Sequence, residues 1–224
     1  MRTTLPLCLL LISGTCLAEA PQPSLSVTTA VVTHQTDFGS SSQLQVGVSA
    51  LYPTRYGAAY WQDGEGGWLL PAPGGWVSLG AAFEPVWSLG SHASQSLGVA
   101  RYGLDLPNDG TLSVGYASRL GNHNPGHLLV ASLDAPLTML GRHKLSLVGW
   151  ASLADKTRRQ SLDHQNQAQD GWQLEQGNLL LVVSHPLSGN WYLDAGVGSH
   201  WQADQNSHHT AGWQTLLGVT WEMK

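Results

Sequence analysis

Cysteine is nearly absent from this 224-residue chain: Cys8 and Cys16 are the only two, and both lie in the first eighteen residues. Everything downstream is therefore without thiols, which excludes disulfides, zinc–thiolate sites and cysteine nucleophiles there. Charge is scarce too. Asp, Glu, Lys and Arg make up 11% of the chain, where a soluble globular domain carries about 25%. Basic residues are outnumbered, 10 to 15, so nothing in the balance points to a nucleic-acid partner. Beyond the N-terminus there is no apolar run of the ~20 residues that a transmembrane helix needs. If this chain enters a membrane it must do so as strands, and a spanning sheet has to close on itself to satisfy its edges.

The N-terminus reads as an address. Met1-Arg2 is followed by an apolar stretch from Leu5 to Ile12 and by small residues around Cys16-Leu17-Ala18, the pattern of a secretory signal peptide. Cleavage is placed after Ala18, because a cut after Ala20 would leave Pro21 as the first residue. Thr15 precedes Cys16 where a lipid-attachment motif wants Gly, Ala or Ser, which argues against lipidation. The expected organisation is a signal peptide at 1–18 and one domain at 19–224.

What the chain does have is alternation. From Gly212 to Met223, Trp213, Leu217, Val219 and Trp221 fall on one face, and Gln214, Gly218, Thr220 and Glu222 on the other. Upstream, Trp191, Leu193, Ala195, Val197 and Trp201 alternate with Tyr192, Asp194, Gly196, Gly198 and His200. A period of two belongs to a strand with one apolar and one wet side. The steps from Trp191 to Trp201, at ~3.3 Å each and tilted by ~40°, project to roughly 25 Å, the height of the apolar band of an outer-membrane barrel. Trp191, Trp201, Trp213 and Trp221 are then interface aromatics.

Turn signals such as Asp63-Gly64, Pro73-Gly74-Gly75, Asn108-Asp109-Gly110 and Gly141-Arg142 cut the chain into strand candidates. These run over 25–36, 43–52, 55–62, 66–70, 76–86, 93–103, 111–119, 127–136, 143–153, 177–186, 191–201 and 212–222. The fold class expected is all-β: an antiparallel transmembrane β-barrel of about twelve strands in the bacterial outer membrane, in contact with its lipid and lipopolysaccharide. Ten strands are the alternative, since 55–62 and 66–70 are short, rich in Gly and Ala, and compatible with one irregular loop. With both termini periplasmic, the external connections fall at 37–42, 63–65, 87–92, 120–126, 154–176 and 202–211. A soluble β-sandwich has similar alternation, with its tryptophans turned into a core. Paired Trp positions at strand ends and small residues on the opposite face favour the membrane barrel.

The segments Ser132-Leu133-Asp134-Ala135-Pro136-Leu137, Gly141-Arg142-His143-Lys144-Leu145-Ser146-Leu147, Val183-Ser184-His185-Pro186-Leu187-Ser188-Gly189-Asn190-Trp191-Tyr192-Leu193 and Gly218-Val219-Thr220-Trp221 resemble the MipA/OmpV family of outer-membrane proteins. The resemblance covers the last ninety residues or so. It implies a barrel of ten to twelve strands that organises cell-wall enzymes, with a murein hydrolase or synthase as partner, and it brings no catalytic residues. The chain departs from the family in lacking a Tyr-rich external loop, and its end, Trp221-Glu222-Met223-Lys224, has no terminal aromatic.

Candidate lumen-lining residues are Ser78, Glu84, Tyr192, Asp194, His200, Gln214 and Glu222, an acid-leaning set that would suit a small channel for polar solutes, the alternative function. Eight histidines, His34, His92, His123, His127, His164, His200, His208 and His209, fall on the expected external half. Imidazole ligates metals and titrates near neutrality, so His208 and His209 are weak metal candidates, although no ligand motif surrounds them and histidine also serves simply as a polar loop residue. A rim hydrolase or acyltransferase would need a Ser, a His and an acid to converge. Ser199, His200 and Asp204 are close in sequence, but strand neighbours point to opposite faces. No catalytic residue and no cofactor is expected.

Overall fold

The computed structural model describes residues 23–36, 39–62, 64–83, 96–120, 126–162, 170–203 and 209–223. The expected signal peptide and its cleavage point lie outside them. Twelve antiparallel strands form one closed barrel in which each strand pairs with its sequence neighbours and the first pairs with the last. They are β1 (Ser24–Thr36), β2 (Gly39–Thr54), β3 (Gly57–Gln62), β4 (Glu65–Ala72), β5 (Gly75–Phe83), β6 (Ser96–Leu106), β7 (Gly110–Arg119), β8 (His127–Leu140), β9 (His143–Ala154), β10 (Gln173–Pro186), β11 (Trp191–Ala203) and β12 (His209–Met223). Closure runs from Leu25↔Met223 to Gln35↔Trp213.

The ten-strand alternative is corrected. β3 and β4 are separate strands, paired from Ala58↔Leu69 to Gln62↔Glu65. Gly64, with φ of 91°, serves the turn between them, and Gly67 lets β4 lie close against β5, because an added Cβ there would sit 2.3 Å from the Leu79 carbonyl oxygen. A short helix, α1 (Lys156–Leu162), occupies part of the connection expected as plain loop between β9 and β10. It shows no apolar stripe, and only its cap marks it: the Asp155 side chain accepts a hydrogen bond from the Arg158 backbone N–H at 2.8 Å. β10 begins earlier than the pattern suggests because a bulge between Leu174 and Gln176 breaks the alternation.

Parity divides every strand into two faces. Outward residues include Leu44, Val46, Leu79, Val114, Leu179, Leu181, Val197 and Leu217, all exposed large apolar side chains. An apolar outer wall on a closed antiparallel barrel suits hydrocarbon rather than water, and places the protein in the bacterial outer membrane. Four tryptophans form two tiers on that wall. Trp191 pairs directly with Trp221 near the end that carries the termini, while Trp213 pairs with Ser199 and Trp201 with Ala211 near the other end. Indoles at both ends suit the headgroup levels. Short turns at 55–56, 73–74, 107–109, 141–142 and 187–190 mark the terminus-bearing end as periplasmic.

Candidate functional site in the barrel lumen

Inward residues divide the lumen into levels of different chemistry. A cavity of about 780 Å³ occupies the periplasmic half, lined by hydroxyls such as Ser26, Ser49, Ser78, Ser113 and Ser132 and by the larger side chains Leu51, Leu69, Trp76 and Trp150. Strands deliver the serines in register: Ser113 faces Ser132 across the β7–β8 pair, with 2.6 Å between their hydroxyl oxygens. At the seam between the first and last strands, Thr220 donates to Asp194 at 2.6 Å and lies 2.9 Å from the Thr28 hydroxyl. A hydroxyl chain thus links β1, β12 and β11.

An ion pair between Arg101 and Glu65 stands inside the wall. Arg101 from β6 reaches across β5 to Glu65, the first residue of β4, with Nε to Oε1 at 3.1 Å and Nη2 to Oε2 at 2.6 Å. The Tyr60 hydroxyl donates to Glu65 Oε1 at 2.6 Å. A two-point guanidinium–carboxylate contact satisfies most of the lone pairs that burial would otherwise strand. Gly115, across from Arg101 on β7, leaves room for its stem, since an added Cβ there would lie 2.7 Å from Arg101 Cγ.

Above the cavity the lumen turns apolar. Ala82, Leu97, Val99, Ala117, Leu128, Val130 and Ala154 form one buried cluster on β5 to β9, and Ala30, Val32 and Leu180 are buried on the opposite strands. Between these sits a polar patch. The His34 and His200 rings meet edge to face with centroids 4.7 Å apart, and Gln214 is the direct partner of His34. Gly212, opposite His200, makes room for that imidazole, whose Cε1 would be 2.8 Å from an added Cβ.

At the external rim, α1 packs on Gly126, where an added Cβ would be 2.7 Å from Arg158 Cα. Arg158 is 1% exposed and donates to the Glu175 carboxylate at 3.2 and 3.3 Å. Arg159 donates to the Gln173 side chain and, at 2.8 Å, to the Gly171 carbonyl. Lys156 meets the exposed Asp170 at 2.7 Å, and that hydrogen bond, reinforced by its charge, holds the Asp170 carboxyl below the ordinary range.

Of the lumen candidates, Ser78, Tyr192, Asp194, His200, Gln214 and Glu222 occupy inward positions, whereas Glu84 lies outside the described residues. They do not converge on one site. Ser78 and Glu222 line the cavity, Asp194 is engaged by Thr220, and His200 and Gln214 belong to the polar patch. Ser199 is exposed on the outer wall while His200 is buried inside, so the two are not a catalytic pair. Asp204 and His164 lie outside the described residues, as does His208; His209 begins β12, its side chain undescribed. Among the described residues no three His, Cys, Asp or Glu side chains group to hold a metal. His127 sits instead on the outer wall, 2.6 Å from the Tyr116 hydroxyl.

Sequence patterning does not single out Glu65, Tyr60 or Arg101. The only signal for Glu65 and Arg101 is a charge on the inward parity of their strands, and Tyr60 has none.

No family model and no curated protein sequence matches the chain. Among solved structures it is similar to Neisserial surface protein A, at 15% identity over 91% of this chain and 99% of that one, with a TM-score of 0.36. It is also similar to the β domain of the Bordetella autotransporter BrkA, at 12% identity over 90% of this chain and 99% of that one, with a TM-score of 0.38. Those likenesses carry no functional argument, and the barrel stands on this chain's own strand pairing.

Proposed function

We propose that this barrel is a MipA/OmpV-like structural protein that holds a cell-wall enzyme, a murein hydrolase or synthase, at its periplasmic rim. The observation that carries the reading is the buried apolar packing inside the external half of the lumen, around Val32, Leu97 and Leu128. The interior of a water-filled porin is polar, whereas here these apolar side chains are buried beside Ser152, Gln176, His200 and Gln214. On this reading the bore is closed at that level, and the working surface is the rim. There the β8–β9 hairpin exposes Leu137, Met139 and Leu140, an apolar tip suited to a protein partner.

Two measurements test this. Folded protein, selected by its heat-modifiable gel shift, should give no discrete conductance steps in a planar bilayer. A photocrosslinker at Met139 should capture a murein hydrolase or synthase in cells, and capture should fall when Leu137 and Leu140 are both changed to Ser. Reproducible single-channel steps would instead establish the small solute channel, and Asp194→Asn would be the first variant to examine.

A further inference from the structure

Four adjacent strands around the closing seam, β10, β11, β12 and β1, each bring one polar side chain to the same level of the lumen. His34 on β1 is the direct partner of Gln214 on β12, and His200 on β11 is the direct partner of Asn178 on β10. Gly212, which faces His200 across the β11–β12 pair, has no side chain to keep the imidazoles of β1 and β11 apart. Trp213 and Trp201, the sequence neighbours of Gln214 and His200, belong to the external tier of outer-wall indoles. The polar set therefore lies near the external headgroup level rather than at the middle of the hydrocarbon.

Each of the four side chains holds a buried atom without a hydrogen-bond partner: His34 Nε2, Gln214 Oε1, His200 Nδ1 and Asn178 Oδ1. Gln214 and His200 are 4% and 9% exposed. Buried polar atoms are costly to leave unmet, and four on one level call for a common partner. The amide oxygens can only accept, and each neutral imidazole can carry its proton on the other ring nitrogen. All four atoms thus offer a lone pair, which a cation satisfies. The ring geometry agrees. An imidazole bound at about 2.1 Å has its centroid roughly 3.2 Å from the metal, so two rings on adjacent coordination positions, roughly 90–110° apart, have centroids about 4.5–5.2 Å from each other. The His34 and His200 centroids are 4.7 Å apart, with ring planes at 76°.

We propose that this level of the lumen binds a divalent late first-row cation, Cu²⁺, Ni²⁺ or Zn²⁺. His34 Nε2, His200 Nδ1 and Gln214 Oε1 are its ligands, and water fills the remaining positions, one water donating a hydrogen bond to Asn178 Oδ1. Two imidazoles with amide oxygen, and neither thiolate nor a group of carboxylates, suit these cations better than Cu⁺, Ca²⁺ or Mg²⁺. The ligands come from β1, β11 and β12, so the bound cation ties together the strands that close the barrel and stabilises the folded state. The inference does not rest on the scaffold reading.

The experiment uses the chain from Glu19 onward, refolded into phosphatidylcholine vesicles, selected by its heat-modifiable gel shift, stripped with EDTA and given one equivalent of Cu²⁺ as the probe. Pulsed electron paramagnetic resonance should show two imidazoles coordinated to the copper. The chain has ten histidines, so variants locate the site. His34→Asn and His200→Asn should each weaken the first Cu²⁺ by at least about tenfold and leave one imidazole on the metal. The combined His143→Asn, His208→Asn and His209→Asn variant should keep the two-imidazole signal and bind within about twofold of the unsubstituted protein. That variant leaves the lumen untouched, so it decides the matter even if a buried substitution prevents folding. Failure to take up Cu²⁺, a signal with fewer than two imidazoles, loss of the signal in the combined variant, or an affinity indifferent to His34 and His200 would each overturn the site.

Discussion

The indole of Trp76 covers Gly103, its direct cross-strand partner inside the barrel, so closely that a Cβ on the glycine would lie 2.1 Å from Trp76 Cε2. The relationship recurs at Trp61 with Gly66 and at Trp201 with Gly177, each a direct pair with the ring lying where the missing side chain would be. An aromatic over a glycine restores the buried area that the glycine lacks and fixes the register locally. Gly103→Val should therefore expel the Trp76 ring and cost about 1–3 kcal/mol, as overpacking does. The loss should appear as a lower urea midpoint.

Removing one side of the Glu65–Arg101 pair leaves the other charge stranded inside the wall. Glu65→Gln or Arg101→Met alone should cost about 3–5 kcal/mol, and the double variant less than the sum of the two. Urea titrations of the four proteins would measure the coupling, and simple additivity would contradict the contact.

Polar and apolar faces should respond oppositely to charge. Leu217→Arg, on the lipid-facing side of β12, should destabilise the folded barrel by about 2–4 kcal/mol if it sits near the bilayer midplane. Ser26→Arg, lining the cavity, should be nearly neutral. Folding yields in lipid vesicles of graded urea content would separate the two.

The Lys156–Asp170 contact makes the external loop sensitive to acid. Its folded carboxyl titrates below the ordinary Asp value, so the contact contributes fully above the unfolded pKa of about 3.9 and is lost as pH falls through the lower folded value. Carboxyl NMR should place the Asp170 midpoint below that of a free aspartate, and Lys156→Met should return it upward. Being exposed, the pair should leave global unfolding unchanged.

Helix α1 depends on its cap. Asp155→Ala should cost about 0.5–2 kcal/mol locally, and because the adjoining Arg158 is buried against Glu175, hydrogen exchange across 156–162 should rise in step.

How much of this was legible follows from what each residue faces. On β11 and β12 one side meets lipid and the other the lumen, and the sequence there alternates from Trp191 to Trp201 and from Trp213 to Trp221, broken only at Ser199, Thr215 and Leu216. β3 and β4 were ambiguous because Gly66, Gly67, Ala58 and Ala59 carry too little side chain to show a period. Glu65 and Arg101 are 36 residues apart, and nothing local says that β4, β5 and β6 bring them together.

By itself, the sequence determined that the chain beyond residue 18 has no thiols, that it is built from short alternating strands with indoles at their ends, and that such strands have to close. Those are local properties, set by side-chain polarity and the two-residue period of a strand. Only the tertiary structure decided which charges meet, that buried apolar and polar side chains share the external half of the lumen, and that β3 and β4 are far shorter than β2. Each depends on register and on unequal strand length, which pairing between distant segments sets and no local pattern encodes.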